Sequence, residues 1–167
     1  MYVGIIINRS LADTTDSVTG LGDIHALVNA IGEMRRVARK AGLIAIKIDD
    51  IAQVNARFGF DAGDRVLAES AACLMECSRG KGRLFRSTGP TFAALFDDFD
   101  PEETDAIAEE IERFLGSPVL IGSLEYQPPI RVATLHLDAV DRQPVSILNE
   151  LKARLKEAPQ VPGTKLD

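Results

Sequence analysis

The stretch IKIDDIAQVNARFGFDAGDRVL, Ile46 to Leu67, decides how the rest of the chain is read. It closes an apolar, β-branched run, LIAIKID from Leu43, and such a run reads as a buried strand. Lys47 is the anomaly in that strand. IAQVNARFG then has the pattern of a short helix stopped by Gly59. A longer helix follows from about Ala62 to Cys77, with Val66, Leu67, Ala71 and Leu74 as its apolar stripe.

Working outward, RLFRS and TFAALFD form a hairpin whose turn, Thr88-Gly89-Pro90-Thr91, is uncharged although it lies across from this polar segment. Pro90 fixes its own φ, lacks an N–H and should push Gly89 toward extended geometry. Upstream, Tyr2–Ile7 reads as a strand, and Asp23 is placed to cap a helix. In that helix Ile24, Leu27, Val28, Ile31, Met34, Val37 and Ala38 recur every three or four residues, and Gly42 is the expected stop. Downstream, Asp100-Pro101-Glu102-Glu103 is a helix start, with a cap, a first-turn Pro and acids at the positive dipole end. Ile107, Ile111, Phe114 and Leu115 give that helix its core face. Strands are expected over Val119–Tyr126 and Ile130–Leu137, and Ser146 is expected to cap a last helix.

Helices set against a mostly antiparallel sheet define an α+β class. The order predicts a ferredoxin-like, palm-like sheet, antiparallel or mixed, flanked by helices. One domain is expected over residues 1–158, of which 1–22 are an N-terminal strand and opening segment. Residues 159–167, with two prolines and no periodicity, read as a flexible tail or linker.

The chain of 167 residues is 46% hydrophobic and 26% charged, which suits one globular domain with its own core. Its net charge of −6 argues against nucleic acid, which demands a concentrated basic face. The short basic cluster MRRVARK reads as a solvated helix face. No apolar run is long enough to span a bilayer and no signal peptide is evident, so no membrane contact by this segment is expected and the reading is cytoplasmic. Cys73 and Cys77 lie one helical turn apart with no third ligand nearby, which favours reduced thiols over a metal site. His25 and His136 have no ligand-like spacing.

The motifs carry a resemblance. DSVTGLGD, Asp16 to Asp23, is similar to the D-x-L-T-G-L-x-N opening of the GGDEF (diguanylate cyclase) family. Ile46–Leu67 resembles that family's l-D-i-D-h-F-K-x-i-N-D-x-y-G-H-x-x-G-D-x-v-L, and LFRSTGPTFAALF occupies the place of R-x-G-G-D-E-F. The chain is accordingly identified as a degenerate member of the family, with order and spacing agreeing along nearly its whole length. The resemblance implies the palm of nucleotidyl cyclases. Active members join two GTP molecules into cyclic di-GMP, using two divalent metals per half-site and a dimer of half-sites. Metals there neutralise triphosphate charge and activate the attacking hydroxyl, and hard cations require carboxylate oxygens.

Those carboxylates are what the chain lacks. The first aspartate of D-x-D falls on Lys47, while Asp49 keeps the second. The signature pentapeptide falls on Thr88, Gly89, Pro90, Thr91 and Phe92, and its metal-binding acid is Thr91. Two unit charges 4 Å apart interact by roughly 4 kcal/mol at an effective dielectric of 20, so exchanging two acids for an ammonium and a hydroxyl is decisive against Mg²⁺. A family phosphate-binding lysine falls on Ala52, and the C-terminal lysine and arginine fall near Pro159. Asn55 and Asp64 match the guanine-reading positions, although Asp64 could equally cap a helix and Asn55 support a helix end. The inhibitory R-x-x-D site retains Arg79 but has Gly82 in place of its acid, so a plain surface loop is the simpler reading.

The expectation is thus a catalytically inactive, cofactor-free domain. It would serve as a regulatory or protein-interaction module in bacterial cyclic di-GMP signalling, beside other domains, a signalling partner protein or a second copy. The alternative is a metal-independent GTP sensor in which Lys47 takes over part of the cation's role. An active cyclase with an unusual site is the third reading.

Overall fold

The computed structural model describes residues 14–37, 40–115, 117–138 and 142–166. The expected strand at Tyr2–Ile7 and the helical position of Ala38 lie outside the described residues. In chain order the elements are α1 (Ile24–Val37), β1 (Lys40–Ile48), α2 (Ile51–Phe58), α3 (Phe60–Ser78), β2 (Arg83–Arg86), β3 (Thr91–Asp97), α4 (Pro101–Phe114), β4 (Val119–Ile121), β5 (Leu124–Tyr126), β6 (Ile130–Asp138) and α5 (Pro144–Glu157).

A four-stranded sheet runs β2-β3-β1-β6, and its three strand pairs are antiparallel. The α+β palm-like expectation holds. β1 is central, and Ala41 to Ile46 are all buried, because helices cover both faces and leave no solvent side. Ile44, Ile46, Phe92 and Phe96 point to one face, where they pack with Val66, Leu67 and Leu74 of α3 and Ile111 of α4. Leu43, Ala45, Leu95 and Leu135 point to the other, where they meet Leu27 and Ile31 of α1 and Ile147 and Leu151 of α5. No helix among the described residues is long and apolar enough to cross a membrane.

Asp23 caps α1 as expected, its Oδ1 accepting from the backbone of His25 (2.9 Å) and Ala26 (3.1 Å). Asp100 and Glu103 form a reciprocal capping box at α4. Five details differ from the sequence reading. Phe114, expected on the core face of α4, is 50% exposed. Gly42 does not stop α1; it lies inside β1, where a Cβ would collide with the buried Thr104 of α4, so close helix–sheet packing is its role. Val119–Tyr126 is not one strand but a hairpin, β4 and β5, turning at Gly122 with φ 61°. Gln143 rather than Ser146 is the first residue of the α5 cap, and Pro144 opens the helix. Gly89 is not extended but takes φ 53°.

The segment after α5, where the sequence suggests a flexible tail or linker, makes specific contacts. Val161 bridges to Ile130, and Thr164 Oγ1 accepts from the Gln127 N–H at 2.9 Å.

Candidate functional site

Strand register assembles the site. Lys47, at the end of β1, is paired with Thr91 of β3 on one side and Arg131 of β6 on the other. Period-2 alternation puts all three side chains on the sheet face covered by α1 and α5. Two residues on, Asp49 follows Lys47 onto this face, and its N–H donates to the Pro129 carbonyl at 2.8 Å.

The Asp49 carboxylate is enclosed by its own chain. Arg131 Nε donates to Oδ2 at 3.0 Å, Gln160 Nε2 donates to the same oxygen at 2.6 Å, and Lys47 Nζ stands 3.6 Å from Oδ1. The Asp49 side chain is only 10% exposed, whereas that of Lys47 is 46% exposed. Arg131 also reaches the Ala158 carbonyl with Nη1 at 2.8 Å. Arg131 and Gln160 were not singled out by sequence; the β1–β6 register and the docking of the chain after α5 bring them in, and neither leaves a local motif.

The signature turn keeps regular hairpin geometry. Ser87 N–H donates to the Thr91 carbonyl (2.9 Å), Thr91 N–H to Thr88 (3.0 Å), and Ile48 N–H reaches across to Pro90 (3.0 Å). Phe92 is fully buried in the core on the opposite sheet face, so its retention is a packing matter. Arg86 clamps the turn from below: Nε donates to the Gly89 carbonyl at 2.8 Å, and Nη1 meets both Asp16 carboxylate oxygens at 3.2 Å. Thr19 adds its N–H (2.9 Å) and hydroxyl (2.7 Å) to Asp16 Oδ2. Burial pushes the Asp16 carboxyl up, but the Thr19 and Arg86 donors together hold it below its ordinary value. The opening motif therefore supports the turn.

Asp50 starts α2 in the left-handed region, φ 66° and ψ 14°, and its side chain makes no capping hydrogen bond. Such a backbone outlier in an Asp is tolerable and tends to sit at sites. Asp50 also helps keep the buried Tyr126 phenol, first raised by burial, at about 12.

A pocket of about 800 Å³ opens beside this cluster, between α1, α5 and the sheet, and Lys47, Asp49, Thr88 and Thr91 lie on its wall. Asn55, Asp64 and Arg79 are placed elsewhere. Asn55 is on α2 with its Oδ1 buried, unpartnered and pressed on Gly63, where a Cβ would overlap it. Asp64 is exposed and sits within α3, whose cap is Gly59, so the capping role considered for Asp64 is ruled out. Arg79 ends α3 in the left-handed region, and its Nη2 is taken by Glu110 Oε1 at 2.8 Å. Gly82 has φ 77° and a Cβ there would strike the Phe96 ring, so this loop has no room for the missing acid.

The two thiols lie on α3, Cys77 buried and Cys73 half-buried. Burial, then the neighbouring Cys73, push the Cys77 thiol up to about 12.

Comparison with known proteins agrees with this architecture. The sequence profile described as "Diguanylate cyclase, GGDEF domain" matches residues 13–158. The cyclic di-GMP phosphodiesterase PdeR of Escherichia coli K12 is 29% identical over 119 residues, covering 70% of this chain and 18% of PdeR. The diguanylate cyclase DgcS of Shewanella oneidensis is 29% identical over 84 residues, covering 48% of this chain and 28% of DgcS. The chain thus spans under a third of either relative's length. The fold is shared with the diguanylate cyclase SiaD of Pseudomonas aeruginosa, solved with its activator SiaC (TM-score 0.82, 21% identity, 94% of this chain and 62% of SiaD). It is also shared with the FimX GGDEF domain from the same organism (TM-score 0.81, 19% identity, 87% of this chain and 93% of that domain). With the profile spanning nearly the whole chain and the palm-like sheet in place, the chain belongs to the GGDEF domain family.

Proposed function

We propose that this domain is catalytically silent and acts as a regulatory or protein-interaction module in bacterial cyclic di-GMP signalling. One observation carries the reading: the acid that survives from D-x-D, Asp49, is already engaged by Lys47, Arg131 and Gln160. A divalent cation requires several oxygen ligands. Here it would meet the pre-engaged Asp49 carboxylate, the Thr91 hydroxyl where the signature has its acid, and an ammonium in place of the first acid of D-x-D. The residues present do not fit Mg²⁺. Lys47 and Arg131 instead supply the positive charge that keeps the sheet end folded.

The partners that fit are domains of the same protein or a separate signalling protein, with a second copy of the chain as a further candidate. That SiaD is solved with an activator protein, and that PdeR is a phosphodiesterase much longer than this chain, support both kinds of partner. The test is to incubate purified protein with GTP and millimolar Mg²⁺ or Mn²⁺ and assay for cyclic di-GMP. No product is expected, and product formation overturns the proposal.

A second reading, a metal-independent guanine-nucleotide sensor, draws on the match of Asn55 and Asp64 to the guanine-reading positions and on the exposure of the Asp64 carboxylate. A carboxylate accepts from both N1–H and the exocyclic amine of guanine. Calorimetry with GTP and GDP, with and without Mg²⁺, separates the two: absence of heat at millimolar nucleotide removes the sensor.

A further inference from the structure

We propose that the pocket between α1, α5 and the sheet binds a small amphipathic anion, its carboxylate or phosphate head at Lys47, Lys152 and Lys156 and its apolar body along Ile24, Val28 and Leu148. The inference rests on the reading above that Lys47 occupies its position without a metal, and it adds a ligand class and an apolar subsite.

The pocket has a structural cause. On the sheet face under α1 and α5, β1 pairs Leu43 with Leu95 and Leu135, and these leucines fill the space to the helices. The next outward row is Ala45 with Ala93 and Ala133. The short alanine side chains, of which Ala45 and Ala93 line the pocket, fill less of the space to the helices than the leucine row does. About 800 Å³ remains, within the 300–1,000 Å³ typical of small-molecule sites.

The walls divide by chemistry. On the helix side, Ile24 and Val28 of α1 and Leu148 of α5 are only partly buried, and Val145 is 62% exposed. Apolar surface left wet inside a concave site favours an apolar occupant. Lys47, Arg131, Lys152 and Lys156 line the same pocket as Asp49 and Asp50, four cations against two carboxylates in a chain whose net charge is −6. Arg131 is committed to Asp49, but Lys152 and Lys156, one turn apart on α5, have no ion-pair partner among the described residues. The uncompensated charge suits a head of one or two negative charges. A nucleoside triphosphate would bring four and leave the apolar wall wet.

The experiment measures displacement of 8-anilinonaphthalene-1-sulfonate fluorescence by decanoate, decyl phosphate, decanol, acetate and inorganic phosphate, each below its aggregation threshold. Decanoate or decyl phosphate should displace the dye about tenfold more tightly than decanol, with acetate and inorganic phosphate weaker still, because head and body contribute together. Preference between decanoate and decyl phosphate identifies the head. The double variant Lys152→Gln/Lys156→Gln should lose that advantage while decanol is unchanged, and Val28→Glu should weaken all three chain-bearing probes. Urea midpoints within error of wild type establish that each variant is folded; if Val28→Glu is unfolded, the lysine pair decides alone. Equal affinity for decanoate and decanol, an unaltered lysine variant, or no displacement at millimolar probe overturns the inference. A Mg²⁺-induced rise in Tm of the ligand-free protein overturns instead the metal-free reading of Lys47.

Discussion

Arg131 and Asp49 meet at 3.0 Å, Nε to Oδ2, and the same guanidinium holds the Ala158 carbonyl at 2.8 Å. One side chain thereby ties the outgoing end of β1 to the segment that follows α5, and Gln160 secures the same carboxylate oxygen. Because the Asp49 side chain is 10% exposed, leaving it short of partners is costly. Arg131→Met should destabilise the domain by about 1–3 kcal/mol, the range for stripping a charged hydrogen-bond partner from a buried group. Gln160→Ala, at the exposed rim, should cost about 0.5–1.5 kcal/mol. Urea unfolding measures both, and an Arg131→Met variant as stable as wild type would show that the clamp contributes nothing.

Reversal of the two substituted ligand positions tests the scaffold. Lys47 and Thr91 are cross-strand partners, and the turn beyond them keeps its β1 contact through Ile48 and Pro90, so the backbone needed to hold two acids is present. Lys47→Asp with Thr91→Glu places three carboxylates together with Asp49. Like charges directly opposed destabilise a strand pair by about 0.2–1 kcal/mol, and the loss should be recovered when Mg²⁺ binds. Differential scanning fluorimetry should show a Tm that rises with Mg²⁺ for the double variant and stays flat for wild type. A variant indifferent to Mg²⁺ would mean that Pro90 has altered the turn where the metal must sit.

The fold was legible because its signals are local. The Leu43–Asp49 run, the Asp23 cap and the Asp100-Pro101-Glu102-Glu103 start each depend on neighbours within one or two turns, and each lies where expected. Gly42 misled because the same residue serves a helix stop and a close helix–sheet approach, and only Thr104, sixty-two positions on, distinguishes them. The substituted acids were legible as Lys47 and Thr91. Their consequence was not, since Arg131 and Gln160 reach Asp49 through sheet register and chain return, which sequence spacing does not record. The pocket was equally hidden: an alanine row exists only once three strands are aligned.

Acid should loosen the opening motif. Burial raises the Asp16 carboxyl, but Thr19 and Arg86 outweigh it and leave the group below its ordinary value of 3.8. A carboxylate depressed in the folded state contributes stability that is present above the unfolded pKa and lost as pH falls through the folded one. Asp16→Asn should therefore be less stable than wild type at neutral pH, with the gap closing as pH falls below 3.8 and through the lowered folded-state value, where the wild-type carboxyl protonates. Urea midpoints across this range check it, and a gap independent of pH would assign the effect to geometry rather than charge.

Gly63 of α3 leaves room for the side chain of Asn55 on α2. The Asn55 oxygen occupies the space that a side chain at position 63 would fill, and it has no hydrogen-bond partner there. Gly63→Ala must drive Asn55 out or part the two helices, at about 1–3 kcal/mol for overpacking. Asn55→Ala alone removes only an unpartnered amide and should be mild. In the double variant the new methyl group gains the vacated space, so its cost should be about 1 kcal/mol or more below the sum of the singles, as expected for residues in contact. A double-mutant cycle in urea measures the coupling. Simple additivity would mean that the glycine is required by the helix backbone and not by Asn55.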